Sequence, residues 1–85
     1  MYSIIFDTKA VEFLEKCPKD ISRRIWSKLQ NSKENPRHYF EKLTNRAEYK
    51  LRVGNYRVIA DINNTKIEIL VIHIDHRKKV YKKLK

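Results

Sequence analysis

The stretch LRVGNYRVIA, Leu51–Ala60, has the pattern of two β-strands joined by a tight turn at Gly54-Asn55. A two-residue turn at this point places Arg52 directly opposite Arg57 on the neighbouring strand. Like charges that face each other across a sheet are unfavourable, by up to about 1 kcal/mol. The stretch therefore raises the question of why two arginines are placed opposite each other.

Length and cysteine content narrow the class of protein. The chain has 85 residues, and we expect one domain over residues 1–85. Its one cysteine, Cys17, excludes an internal disulfide and disfavours a cysteine-based zinc site. A lone thiol suits a reducing compartment, no apolar run is long enough to span a membrane, and the start MYSIIFD lacks the features of a signal peptide. These features predict a cytoplasmic protein.

Charge is the strongest compositional signal. Twenty Lys and Arg residues against ten Asp and Glu give a formal net charge of +10, while 41% hydrophobic residues suffice for a core. A small folded domain with this excess repels itself unless it meets an anion. Nucleic acid or an acidic protein is the natural partner. The alternative, charge that serves solubility alone, is less favoured because the basic residues are patterned.

Hydrophobic periodicity predicts a strand, two helices and three further strands, in that order. The first strand covers 2–6. Apolar stripes then mark two amphipathic helices, and the break at Cys17-Pro18 makes them an αα-hairpin. Residues 31–38 form the clearest loop. The last three strands are expected at 48–53, 56–62 and 66–74, with a second two-residue turn at Asn63-Asn64.

Two turns of two residues would divide the last three strands into two faces. One face is almost wholly apolar and is expected to pack on the helices, and it carries Tyr49, Leu51, Val53, Tyr56, Val58, Ala60, Ile62, Ile67, Ile69 and Val71. On the other face Asp61 is expected to pair with Lys66. The run Ile69–Ile72 is apolar on both faces, which predicts a central strand.

The second face also carries Lys50, Arg52 and Arg57, with no acid beside them in this register. Three cations that converge from adjacent strands could hold one phosphodiester and the charge that develops during its cleavage. A solvated face is the alternative, and it is the better explanation for any single arginine. For the three together, binding is favoured. The provisional answer to the opening question is that an anion binds between Arg52 and Arg57.

The chain end adds candidates, because His76, Arg77 and Tyr81 are expected to leave the last strand. They could then reach the sheet face that carries the three cations. A phenol is a weak acid with a pKa near 10, which clustered arginines would lower, and a packing role for Tyr81 is nearly as well supported. An imidazole has the right intrinsic pKa for acid-base work, although His76 could equally be a solvated loop residue. His73 has core-facing parity and is expected to be structural. No metal-ligand spacing or cofactor motif is visible, so we expect neither a bound metal nor a cofactor.

The segment EYKLRVGNYRVIADI, followed by an apolar strand and HRKKVY, resembles the RelE toxin family of toxin–antitoxin systems. The resemblance covers nearly the whole chain and is strongest from Leu43 to Tyr81. It implies an α+β fold with the order β-α-α-β-β-β, in which an αα-hairpin packs on one face of a mostly antiparallel twisted sheet. It also implies a monomeric toxin that cuts mRNA in the ribosomal A site without a metal, and a RelB-like antitoxin that wraps and inhibits it.

The resemblance also implies roles for particular residues. The family's catalytic positions fall on Lys50, Arg52, Arg57, Arg77 and Tyr81. RNA-binding positions fall on Lys50, Arg52, Arg57, His76, Arg77, Lys78 and Lys79. The family often has lysine where Arg52 stands, and arginine is the poorer proton donor or acceptor. In the implied reaction a 2′-OH attacks the adjacent phosphate, Lys50 or Tyr81 accepts its proton, Arg57 stabilises the phosphate, and Arg77 acts at the leaving 5′ oxygen.

Two alternatives stay open. ParE-type toxins are similar to RelE in fold but act on DNA gyrase, and they typically lack the full basic and tyrosine set, so its presence favours the ribonuclease. A non-catalytic RNA-binding module would need exposed aromatic residues for base stacking, and the basic face offers none.

Overall fold

The computed structural model describes residues 1–76 as one sheet with helices on one side of it. The elements are β1 (Ser3–Phe6), α1 (Thr8–Lys16), α2 (Lys19–Ser32), α3 (Pro36–Tyr39), β2 (Glu41–Lys42), β3 (Tyr49–Val53), β4 (Tyr56–Asn63) and β5 (Glu68–His76). The predicted order of one strand, two helices and three strands is confirmed. A one-turn helix, α3, and a two-residue strand, β2, lie between α2 and β3, so part of the loop predicted over 31–38 is helical.

The sheet has the strand order β1-β5-β4-β3-β2. β1 pairs with β5 in parallel, and every other neighbouring pair is antiparallel. β5 therefore has a partner on each side, which confirms the central position predicted from its apolar run. No helix among residues 1–76 is long and apolar enough to cross a membrane.

Local signals set the ends of the two long helices. The Asp7 carboxylate accepts a hydrogen bond from the Thr8 backbone N–H at 2.8 Å and so caps α1. Cys17 and Pro18 are extended, and the Pro18 carbonyl accepts the first backbone bonds of α2. Across the break, the Ser22 hydroxyl donates to the Leu14 carbonyl at 2.7 Å and ties α2 to α1.

One face of the sheet packs against the helices and forms the core. The largest fully buried side chains include Ile25 and Leu29 from α2 and five residues from the sheet, namely Leu51, Val58, Ile69, Val71 and Ile74. This is the face that strand alternation predicted to be apolar, with Ile74 added and Ile67 removed. Ile67 lies in a turn and is exposed.

Ile25→Ala is expected to lower the free energy of unfolding by about 2–5 kcal/mol, because the side chain is fully buried between α2 and the sheet. Urea denaturation followed by circular dichroism measures this. The matched control is Arg23→Ala on the exposed side of the same helix, which should change stability by less than about 0.5 kcal/mol. Equal effects from the two variants would contradict this placement of α2.

The first hairpin has the predicted register. Val53 pairs with Tyr56 and Arg52 with Arg57. Gly54 has a φ of +59°, and Asn55 is not among the residues with positive φ, which matches a type II′ turn. Glycine suits this position because a side chain here would be strained.

The second hairpin differs from the prediction. Asn63 pairs with Glu68, so the turn covers 64–67 and contains four residues instead of two. The Asn63 side chain accounts for the longer turn, since its Oδ1 accepts hydrogen bonds from the backbone N–H groups of Thr65 and Lys66. The predicted Asp61–Lys66 pairing is therefore wrong, and Asp61 lies opposite Leu70.

A β-bulge in β5 changes which side chains face the core beyond that hairpin. Ile59 pairs with His73, whereas the next residue, Ala60, pairs with Val71, so Ile72 is the extra residue. The bulge brings Ile74 into the core. It moves His73 to the opposite face, so the prediction that His73 faces the core is wrong.

Candidate functional site

The surface of the sheet opposite the helices carries the predicted cations. We define the basic face as Lys50, Arg52, Arg57, His73 and Asp75. The register places Arg52, Arg57 and Asp75 in one row across β3, β4 and β5, and Lys50 and His73 in the next row on either side of Ile59. The core cluster that includes α1 and α2 residues lies on the other side, and no helix among residues 1–76 covers the basic face.

An acid lies beside the arginines. The nearest distance between the Arg57 guanidinium and the Asp75 carboxylate is 3.6 Å, from Nη2 to Oδ2. The expectation of a cluster without a neighbouring acid is therefore wrong. The bulge at Ile72 is the physical cause of this difference, because it moves Asp75 onto the row of Arg57.

The Arg57–Asp75 contact is incomplete. A charge-assisted hydrogen bond is normally about 2.7–2.9 Å long, and a fork-to-fork pair uses two such bonds. Here the single contact is longer, and within residues 1–76 both the Nε of Arg57 and the Oδ1 of Asp75 are buried without a hydrogen-bond partner. Asp75 thus lowers the local charge but leaves Arg57 with donor capacity.

The shorter contact of the Asp75 carboxylate is with His73. The Nε2 of His73 lies 2.9 Å from the Oδ2 of Asp75, at hydrogen-bond distance. These residues are two apart on the same strand, so their side chains share a face. The carboxylate is 18% exposed and the imidazole 51%, so the acid is mostly buried while the ring reaches solvent. Sequence reasoning missed both residues, because only their spacing hinted at the pair and the parity of β5 was misassigned.

Lys50 and Arg52 differ in their surroundings. The ammonium group of Lys50 lies 3.9 Å from the carboxylate of Glu41 on β2, a loose contact with an acid that is 74% exposed. Such pairs contribute little. The exposed side chain of Arg52 has no ion pair within the part of the chain that the structure describes, while its backbone carbonyl accepts a bond from Lys28 at 2.7 Å. Arg52 is thus the freest cation of the basic face.

His76 lies elsewhere. β5 continues through His76, which pairs with Tyr56, and the two rings meet edge to face at 4.8 Å. Tyr56 also contacts Phe13 of α1, so this cluster is on the helix side of the sheet. The expectation that His76 leaves the last strand is wrong. Arg77, Lys78, Lys79 and Tyr81 lie outside the described residues.

The basic face can bind an anion through its cations and offers one imidazole beside them. Within residues 1–76 no group of His, Cys, Asp and Glu side chains is arranged to hold a metal ion. The single cysteine is remote from this face in sequence, and burial raises the pKa of the Cys17 thiol, which makes it a poor nucleophile.

Comparison with known proteins places the chain in a family. The family model described as the ParE toxin of the type II toxin–antitoxin system parDE matches residues 4–81. The chain belongs to this family of toxins. The resemblance to the wider RelE and ParE superfamily is thereby confirmed. A search of curated proteins gives no match.

Solved structures show the same fold for this toxin. The isolated E. coli RelE toxin is 24% identical, with 99% of this chain and 95% of that chain covered and a TM-score of 0.79. The toxin in the intact E. coli RelBE toxin–antitoxin complex is 25% identical, with 89% and 96% covered and a TM-score of 0.76. A RelBE toxin–antitoxin complex from Mycobacterium tuberculosis matches at 23% identity, with 89% and 98% covered and a TM-score of 0.81. These likenesses confirm the predicted α+β fold.

Proposed function

We propose that this toxin is a ribosome-dependent, metal-independent endoribonuclease that cuts mRNA in the A site. The observation that carries the proposal is the opposed pair Arg52 and Arg57 on a sheet face that no helix of residues 1–76 covers, with Arg52 unpaired there and Arg57 incompletely paired. Two guanidinium groups at one cross-strand position suit the geometry and charge of a phosphodiester.

In the proposed reaction the 2′-OH of one nucleotide attacks the adjacent phosphate. The products are a 2′,3′-cyclic phosphate and a 5′-OH. Arg57 and Arg52 stabilise the charge that accumulates on the phosphate oxygens, and Lys50 adds positive charge at the same face. We assign catalytic roles to Arg77 and Tyr81, with Arg77 at the leaving oxygen as the family resemblance implies, and a role in RNA binding to Lys78 and Lys79.

Mapping mRNA ends after incubation with translating ribosomes tests the activity. The ribonuclease predicts new 5′-OH ends at codons in the A site, in the presence of a metal chelator at a level that leaves ribosomes intact. Intact transcripts with slowed translation would instead indicate binding without cleavage and would contradict the proposal.

The description of the matching family as ParE toxins supports a second candidate function, inhibition of DNA gyrase. A supercoiling assay with purified gyrase separates the two candidates, because a gyrase inhibitor would block supercoiling and leave mRNA intact. The cation set on the basic face favours the ribonuclease.

We also propose that the toxin is a monomeric single domain that acts in the cytoplasm and is inhibited by a RelB-like antitoxin. Structures of RelB–RelE complexes among the similar folds support this partner. The net charge of +10 favours an acidic antitoxin segment. Elsewhere on the sheet, Ile5 and Leu70 are register partners that are 42% and 38% exposed, and they offer an apolar contact.

Antitoxin affinity is expected to fall by about tenfold or more between 0.1 M and 1 M salt, because the screening length shortens from about 10 Å to about 3 Å. It should not vanish, since contact with Ile5 and Leu70 does not depend on salt. Titration calorimetry at both salt concentrations measures this, with Leu70→Ser as the variant that should lose affinity at high salt. An affinity independent of salt would contradict the proposal that charge attraction contributes to antitoxin binding.

A further inference from the structure

His73, Asp75 and Arg57 meet on the basic face around a single oxygen atom. The Oδ2 of Asp75 lies 2.9 Å from the imidazole Nε2 of His73 and 3.6 Å from the guanidinium Nη2 of Arg57. The imidazole and the guanidinium are therefore within reach of the same phosphodiester. None of the roles implied by the family resemblance falls on His73 or Asp75.

The hydrogen bond to Asp75 decides which imidazole nitrogen can act as a base. A carboxylate accepts hydrogen bonds, so a neutral His73 must carry its proton on Nε2 to donate to Asp75. Nδ1 is then left with a free lone pair. The His73 side chain is 51% exposed, so the ring reaches solvent on the basic face. Such a carboxylate–imidazole pair is the arrangement that orients a general base in other enzymes.

We propose that His73 is the general base for the attacking 2′-hydroxyl and that Asp75 is its positioning residue. The inference rests on the proposed ribonuclease function. Nδ1 of His73 takes the proton of the 2′-OH while the 2′ oxygen forms its bond to phosphorus. The bond from phosphorus to the 5′ oxygen breaks, and the 5′ oxygen takes a proton from water. Arg57 holds the phosphate throughout.

The surroundings of His73 suit this role. The charged groups near it within residues 1–76 include Asp75 on its own strand, Arg57 on β4 and, in its own row on β3, Lys50, while Asp61 lies further along β4 beside Leu70. Neither of the two buried atoms without partners, Arg57 Nε and Asp75 Oδ1, belongs to the His73 contact.

His73→Gln tests the inference, because the amide can still donate to Asp75 but cannot accept a proton at neutral pH. Single-turnover cleavage in programmed ribosomes is expected to slow by about a hundredfold or more at pH 7.5, the usual contribution of a general base. The wild-type rate should depend on pH through this base, and the variant should lack that dependence. Affinity for a 2′-deoxy substrate that cannot be cleaved should stay unchanged.

His38→Gln is the matched control, since His38 lies in α3 and is exposed away from the basic face. It should cleave at the wild-type rate. Asp75→Asn should reduce the rate while nitrogen-15 NMR of His73 shows that the Nε2–H tautomer no longer predominates. Wild-type cleavage together with an unimpaired His73→Gln variant would overturn the inference and leave the ribonuclease standing. No cleavage by the wild type would overturn both.

Discussion

Arg57→Ala is expected to slow ribosome-dependent cleavage by about a hundredfold to a thousandfold and to abolish growth arrest, while the fold is retained. The size follows from the loss of one preorganised group at the charge that develops in the transition state. The fold should survive because Arg57 is partly exposed and its contact with Asp75 is 3.6 Å long. The Asp75 carboxylate also keeps its 2.9 Å contact with His73 when the Arg57 side chain is removed, so it is not left without a partner.

The neighbouring residue supplies the control. Tyr56→Ala removes a ring whose centroid lies 6.0 Å from that of Phe13 and 4.8 Å from that of His76, on the helix side of the sheet. This variant should therefore lose stability before it loses activity. Thermal melts and single-turnover rates on both variants separate the two effects. A folded Arg57→Ala protein that cuts mRNA at the wild-type rate would show that Arg57 is not part of the site.

Ribosome-bound mRNA is expected to be cut at least about a thousandfold faster than the same transcript free in solution. A general base supplies only part of the acceleration, about a hundredfold to ten-thousandfold. In-line alignment of the 2′ oxygen, phosphorus and leaving oxygen can supply a further 7–11 kcal/mol or so in the best cases. In the proposed function the basic face holds phosphate, but none of its five residues would bend the chain of a free RNA, whereas a ribosome holds mRNA through codon pairing.

Single-turnover rates on one transcript, free and in a programmed ribosome with an empty A site, measure this difference. The Arg57→Ala protein serves as the background for both arms. Equal rates would show that the protein orients RNA by itself, and the ribosome-dependent function would have to be abandoned.

Where strong local signals exist, the sequence alone predicted the structure. Gly54 accounts for the turn of the first hairpin, so the opposition of Arg52 and Arg57 could be predicted without tertiary information. Proline at position 18 separated the helices, and the four-residue spacing of Ile25 and Leu29 identified the buried side of α2. Each of these features depends on neighbours in the chain and on sterics, which the sequence displays directly.

The charge environment of the basic face was decided by tertiary packing. The run Ile69–Ile72 is apolar on both parities, so alternation could not determine which residues of β5 face the core. Packing favoured a bulge at Ile72, which buries both Ile69 and Ile74. That choice moved Asp75 beside Arg57 and His73 onto the same face, because burial of apolar side chains outweighs the placement of polar residues that can reach solvent from either face.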